Sequence, residues 1–463
     1  MKLRPHSVTF TLFLGALVTL ASFATDMGLP VLASTAASLG VTPARVALTM
    51  SLFMAGFAVG PLVMGPVSDR HGRRPLLLIG CAIFSVFGAL GAFAESLPAL
   101  LLWRFVMGAG AGTVAVLVIA TVRDHFTGAE ARVRQSYVNL AGGLAPLIAP
   151  TLGVWVAAIG GWRAIYGTLA AVGALLFVLA YFLLDESVTH DGRTALTMRG
   201  TMRSYVRVMR HPVSMGYAIV VALLFGCLFS YVSGSSLVLI GVMGVSPRLY
   251  GGLFATTATG LVVGSLLNAR LNRMGVSHTR LIAMGLVTIA AIAVLLFTLA
   301  WSGVLNPPLL VGLVVVSFVG HAIVRANAAQ GALEPMPEIA GVASAVLTGL
   351  QMVVGAVASA IAAALFDGHS AIAMTGMMSV CSVSALTVYF AVVRSADARQ
   401  AASRAQKHPF VTPHAQFVTS SAGGEGDCGS SGGIDGNLLN SREDSHAPLT
   451  TSPLGAASQP IEA

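Results

Sequence analysis

One acid stands where hydrocarbon is expected. In the run FATDMGLP, Asp26 sits among the apolar residues of the first long hydrophobic stretch. Of the 18 acids in the chain, it alone lies well within such a stretch. A charged Asp at a bilayer centre costs about 2.5–3.5 kcal/mol on insertion scales, and such acids usually face a cavity on a proton or ion path. Removing a carboxyl from water favours its neutral form. An acid here is therefore suited to load a proton on one side of a membrane and release it on the other. Arg104, in LLWRFVMGAGAG, is a permanent cation placed in a later apolar stretch. Buried arginines pair or line wet cavities, whereas one near a span end can also snorkel to the interface. Three roles fit Asp26: proton coupling, a structural ion pair with Arg104, and contact with a cationic substrate.

Other polar residues in apolar stretches are fewer and less specific. His321 and Arg325 are four apart, on one helix face, and an imidazole can titrate near neutral pH. Asn139 and Gln351 are further candidates for lining a cavity. The four cysteines are scattered singly, with no CxxC or Cys/His cluster, so the reading is no metal and no cofactor. No Gly-rich loop with a Lys of the nucleotide-binding kind occurs, and no acid/base cluster of an enzyme stands out. The reading is a non-enzyme driven by an ion gradient.

The elements that must position these residues follow from composition. Hydrophobic residues make up 56% of the 463 and charged residues 10%, against about 25% charged in a soluble domain. Mean hydropathy is +0.83. A span needs about 20 mostly apolar residues. Twelve such runs occur, over 8–29, 45–65, 75–95, 98–121, 134–157, 162–184, 213–238, 249–269, 280–301, 308–330, 341–365 and 370–393. The predicted class is an all-α integral membrane protein with twelve transmembrane helices in two six-helix bundles, in which the first run is a retained span. The expected domains are an N-terminal bundle (1–184), a central loop (185–212), a C-terminal bundle (213–393) and a disordered tail (394–463), whose SSAGGEGDCGSSGGIDGN is Gly/Ser-rich.

With a cytoplasmic N-terminus, the inner segments carry 21 of the 26 Lys and Arg and the outer loops only Arg45, Arg163 and Arg248. That asymmetry places both termini inside. The net charge of +8 is thus a topological signal and calls for no nucleic acid. In this arrangement Asp124, Asp69 and Arg73 share the inner face, where they can form a charge cluster that breaks when the inner gate opens. Gly65 and Gly72 permit a tight turn beside Asp69, Arg70 and Arg73.

GPVSDRHGRRP (65–75) resembles the signature of the major facilitator superfamily. LAPLIAPTLGVWVAAIGGWRAIY resembles the antiporter motif of its twelve-span drug:proton exporters. YVSGSSLVLIGVMGVSPRLYGGLFA and ALEPMPEIAGVASAVLTGLQMVVGAVAS resemble the Bcr/CflA branch, which includes bicyclomycin and chloramphenicol exporters. The resemblance covers most of 8–393. It implies a two-bundle fold with a site near the midplane, an acid at the place of Asp26, and a role for Arg104 in proton transfer. It also implies a packed seam at Gly142, Gly143, Pro146, Pro150 and Gly153 that sets exchange over leak. The implied function is efflux of a small amphipathic, drug-like compound in exchange for protons across a bacterial inner membrane, by a monomer. An endogenous metabolite, moved out or in, is the other substrate class. The chain departs from the family at Met107, where Gln is usual, and at Ala33 and Ser236, where Pro is frequent.

Overall fold

The computed structural model describes residues 6–186, 198–336 and 339–395. The side chains of 65, 66, 69, 70, 129, 132, 198, 199, 201 and 340 fall outside that description. So do the tail beyond 395 and residues 187–197 of the stretch expected as the central loop. A backbone crossing hydrocarbon must satisfy its own polar groups, which leaves helices as the solution for these sequences. The described residues hold no strand. Eleven helices are long and apolar enough to cross a membrane.

The helices are α1 (Val8–Asp26), α2 (Leu32–Leu39), α3 (Pro43–His71), α4 (Arg73–Ala92), α5 (Leu97–His125), α6 (Gly128–Leu183), α7 (Met198–Arg210), α8 (Pro212–Ser236), α9 (Pro247–Arg273), α10 (His278–Trp301), α11 (Pro307–Leu333), α12 (Ala340–Ala364) and α13 (Ile372–Val388). The end of the bundle where α1 begins is its near end. Prolines in the first turn start α3, α5, α8, α9 and α11, where the missing N–H costs nothing. Ser7, Ser246 and Asn306 cap α1, α9 and α11 by accepting from a backbone N–H of the first turn.

α6 carries two crossings. Its helix geometry fails at Gly160 and Gly161, where Gly161 adopts φ +66°, a left-handed conformation that only Gly takes at no steric cost. The break coincides with the expected boundary between the fifth and sixth spans, so the described residues hold twelve crossings. α1 differs from expectation. A 3₁₀ turn over Leu29–Val31 follows it, and α2 then resumes, so that one apolar stretch runs Val8–Leu39. Asp26 thus lies well short of its far end and deeper than a span ending at residue 29 implies. Within the stretch expected as the central loop, α7 forms.

Small residues set the closest helix approaches. A Cβ on Gly56 would overlap the backbone of Phe105, and one on Gly108 that of Phe53. Gly60 and Gly112 repeat this one turn on. These paired Gly-x-x-x-Gly stripes bring α3 and α5 into backbone contact, the usual device where lipid offers no hydrophobic drive for association. One apolar core is built within α1 and α3–α6. A second, centred on α8–α13, reaches Leu29, Leu32, Val46 and Met50 at the far end.

Candidate functional site

α1 ends at Asp26 because Gly28 and Pro30 follow it, and the chain turns through Met27 and Gly28 before the 3₁₀ turn. A helix break thus stands beside the acid. It does not open the carboxyl to water: Asp26 is 4% exposed. Among the described residues it is the only buried carboxylic acid, and it makes no ion pair. The second bundle covers it. The Ser236 hydroxyl of α8 donates to the Leu29 carbonyl at 2.5 Å, and the buried Ser235 hydroxyl pairs with the Tyr250 phenol of α9 at 2.9 Å. Ser236 is one of the three departures from the family pattern. A Pro there would have no hydroxyl to give Leu29.

Arg104 is also 4% exposed, so it does not snorkel. Its guanidinium rests on the Phe53 ring of α3 (4.5 Å) and the Tyr166 ring of α6 (5.7 Å). Its Nη1 meets the Met107 sulfur at 3.9 Å, and its Nε has no hydrogen-bond partner. A thioether is a weak acceptor, so Met107 satisfies the cation less well than the family's usual Gln. Arg104 and the Asp26 neighbours Thr25 and Gly28 line one cavity of about 30 Å³, which is room for a water or two. Asp26 and Arg104 therefore share a neighbourhood without forming an ion pair here. Aromatic faces hold the cation instead.

The seam residues of α6 separate on inspection. A Cβ on Gly153 would overlap the Met27 carbonyl, next to Asp26, and one on Gly142 would meet Val18 at 3.4 Å. Gly143 has open space around it. Pro146 and Pro150 lie inside the helix. The Ser22 hydroxyl reaches the Gly142 carbonyl at 3.4 Å. The seam packs along α1 and ends at the acid.

At the near end, Arg73 Nε donates to Asp124 at 2.9 Å, with the Arg73 side chain partly buried, and Arg73 Nη1 donates to Ser68. Arg73 and Asp124, two of the three residues expected in the charge cluster, thus form an ion pair. Gly65, Asp69 and Arg70 lie in α3, which runs to His71, so the tight turn falls at Gly72 and not at Gly65; the side chains of 65, 69 and 70 are outside the described residues. Sequence reasoning missed Glu186. Its carboxylate accepts the backbone N–H of Arg73 (2.7 Å) and of Arg74 (3.3 Å), so an acid from the end of α6 caps α4. Gly72, at φ +96°, leaves the space this carboxylate occupies. The signal was available: α4 starts after a Gly with no side-chain cap, and its orphan donors need an outside acceptor. Glu186→Ala is expected to cost about 1 kcal/mol, as cap losses do. The shift should appear in thermal unfolding of the purified protein, with Glu186→Gln losing less.

The remaining candidates do not converge. His321 is buried, its Nδ1 against the Ser317 carbonyl at 2.9 Å and its Nε2 without a partner. Arg325, one turn on, is exposed, so their shared stripe crosses from core to surface. Gln351 is half-buried and donates to Leu347. Asn139 is exposed and accepts from Gln135. None of the four lines the Arg104 cavity.

Known proteins place this arrangement. The family model described as Major Facilitator Superfamily matches residues 12–359. A bicyclomycin resistance protein homolog from Haemophilus influenzae is 29% identical over 401 residues, covering 86% of this chain and all of that protein. Multidrug resistance protein D of Escherichia coli (strain K12) is 26% identical over 366 residues, 78% of this chain and 90% of that one. Among solved structures, a bacterial homolog of the human lysosomal transporter Spinster, inward-facing and occupied, superposes with a TM-score of 0.66 at 16% identity, over 85% of this chain and 98% of that one. A D-xylose–proton symporter gives 0.62 at 16%, over 83% and 98%. These two likenesses concern the fold alone.

Proposed function

This chain belongs to the Major Facilitator Superfamily, and we propose that it exports a small amphipathic, drug-like compound in exchange for protons by alternating access. The observation that carries the reading is Asp26, the one buried carboxylic acid among the described residues, covered by residues of the second bundle. The names of the bicyclomycin and multidrug resistance relatives support the substrate class. In this reading the two bundles, 1–184 and 213–393, rock about the site. The membrane is the bacterial inner membrane, with both termini cytoplasmic, and one chain suffices.

Burial supplies the coupling. The far-end seal closes readily over a neutral carboxylic acid and only at a cost over an ionised one. Asp26 takes a proton when the far end is open and gives it up when the near end is open. On the return limb, the ionised carboxylate is covered only with a partner, which the bound compound or Arg104 supplies. The Arg73–Asp124 pair is intact while the near end is closed and breaks when it opens. Gly153 and the rest of the α6 seam keep the path free of leak.

Vesicles holding the purified protein test this. With an imposed pH gradient, adding chloramphenicol-like, bicyclomycin-like or cationic dye compounds should dissipate the gradient for at least one class. Vesicles without the protein should show no such loss. A gradient dissipated only by metabolites would move the protein to the other substrate class. A gradient that no compound dissipates, from a folded protein, would remove proton exchange.

A further inference from the structure

Helix α7 has three faces. Val208 is 3% exposed and packs on Met336 and Ala343, at the near ends of α11 and α12. Met202, Val206 and Met209 are 61%, 39% and 60% exposed. Their spacing of four and then three residues aligns them in one stripe. Arg203, Arg207 and Arg210, also exposed, form a parallel stripe about a quarter-turn round the helix, on the side away from Val208. Only His211 separates α7 from Pro212, where the apolar span of α8 begins. The helix therefore ends at the level where hydrocarbon meets water.

We propose that α7 lies in the membrane interface, with its Met/Val stripe among acyl chains and its Arg stripe on anionic phospholipid headgroups. The charge and the depth argue for this occupant together. An apolar stripe set in water beside a span boundary would be left uncovered, and three arginines next to it match phosphates at the height of the headgroups. Interfacial helices combine these two faces, and clustered arginines at a span's end strengthen binding to anionic lipid. Val208 gives the contact a consequence. Lipid that holds α7 down also holds the near ends of α11 and α12, which must move if the near end opens.

The test uses the full chain in nanodiscs of phosphatidylcholine alone, or with a third of the lipid replaced by phosphatidylglycerol. Amide hydrogen exchange in α7 should slow roughly tenfold with the anionic lipid, given the attraction per arginine at such surfaces. Arg203→Gln with Arg210→Gln should remove most of that difference. Met209→Trp, read as the difference from the unsubstituted protein, should add fluorescence that brominated acyl chains quench. Equal exchange in both nanodiscs overturns the proposal. So does a new indole quenched by acrylamide in the water and not by bromolipid, which would leave that stripe open to a soluble protein. Neither readout needs transport, so the result stands apart from the proposed exchange reaction.

Discussion

Asp26→Asn is expected to abolish proton-driven export while leaving the protein folded, inserted and able to bind its compound. The amide matches the shape of the neutral carboxylic acid, so the far-end seal over it is undisturbed: the Ser236 bond to the Leu29 carbonyl and the Ser235–Tyr250 pair do not use the carboxyl. What the substitution removes is the difference between two protonation states. Covering the ionised form costs about 2.5–3.5 kcal/mol on insertion scales. At 1.36 kcal/mol per decade, that is a bias of about a hundredfold. Gradient-driven efflux in vesicles should fall by about that factor. Exchange of labelled for unlabelled compound without a gradient should persist, since it needs no net proton movement. Asp26→Glu should restore part of the driven rate. Unchanged substrate/proton exchange in the Asn variant would sink the coupling role and return Asp26 to a packing function.

What the sequence made legible here follows from the range over which each force acts. Hydrophobic runs are local, so the spans were readable to within a few residues, including the break near Gly160. The first span continues past its expected end at residue 29. Pro is tolerated in a first turn, and the chain used it to restart as α2. α7 was hidden because its loop was judged by mean polarity, whereas its signal is periodic: Met202, Val206 and Met209 against Arg203, Arg207 and Arg210. At the site, burial of Asp26 and Arg104 was legible from each residue's surroundings in the chain. What each one touches was not. The rings of Phe53 and Tyr166 reach Arg104 from α3 and α6, and no spacing in the sequence brings those residues together. The ion pair weighed for Asp26 and Arg104 failed to appear for the same reason. Depth along two helices can be estimated from sequence, but the direction of two side chains cannot. His321 and Arg325 share a stripe as their spacing demands, and tertiary packing alone separates them into core and surface.

Gly153→Val is expected to be the most damaging single change in the α6 seam, and Gly143→Ala the least. Both glycines sit in the same helix, where propensity favours Ala over Gly by about 1 kcal/mol and Val over Gly by less. Space separates them. A side chain at 153 would run into the Met27 carbonyl, which is backbone and cannot rotate away. At 143 nothing lies within 4 Å of an added Cβ. Overpacking of this kind costs about 1–3 kcal/mol, sometimes more. The strain falls on Met27, which follows Asp26 at the C-terminus of α1. Gly153→Val must then push α1 off α6, and with it the acid and the Leu29 carbonyl that accepts from Ser236. The expected outcome is a lowered unfolding temperature together with proton leak in the absence of compound, because the seal at Asp26 no longer closes. Gly143→Ala should be neutral or slightly stabilising, with exchange intact. Thermal unfolding and vesicle pH measurements on the two variants check this side by side. A leak-free Gly153→Val protein would show that the seam and the acid are independent, and equal damage from both would show that spacing within the motif, and not contact with α1, is what matters.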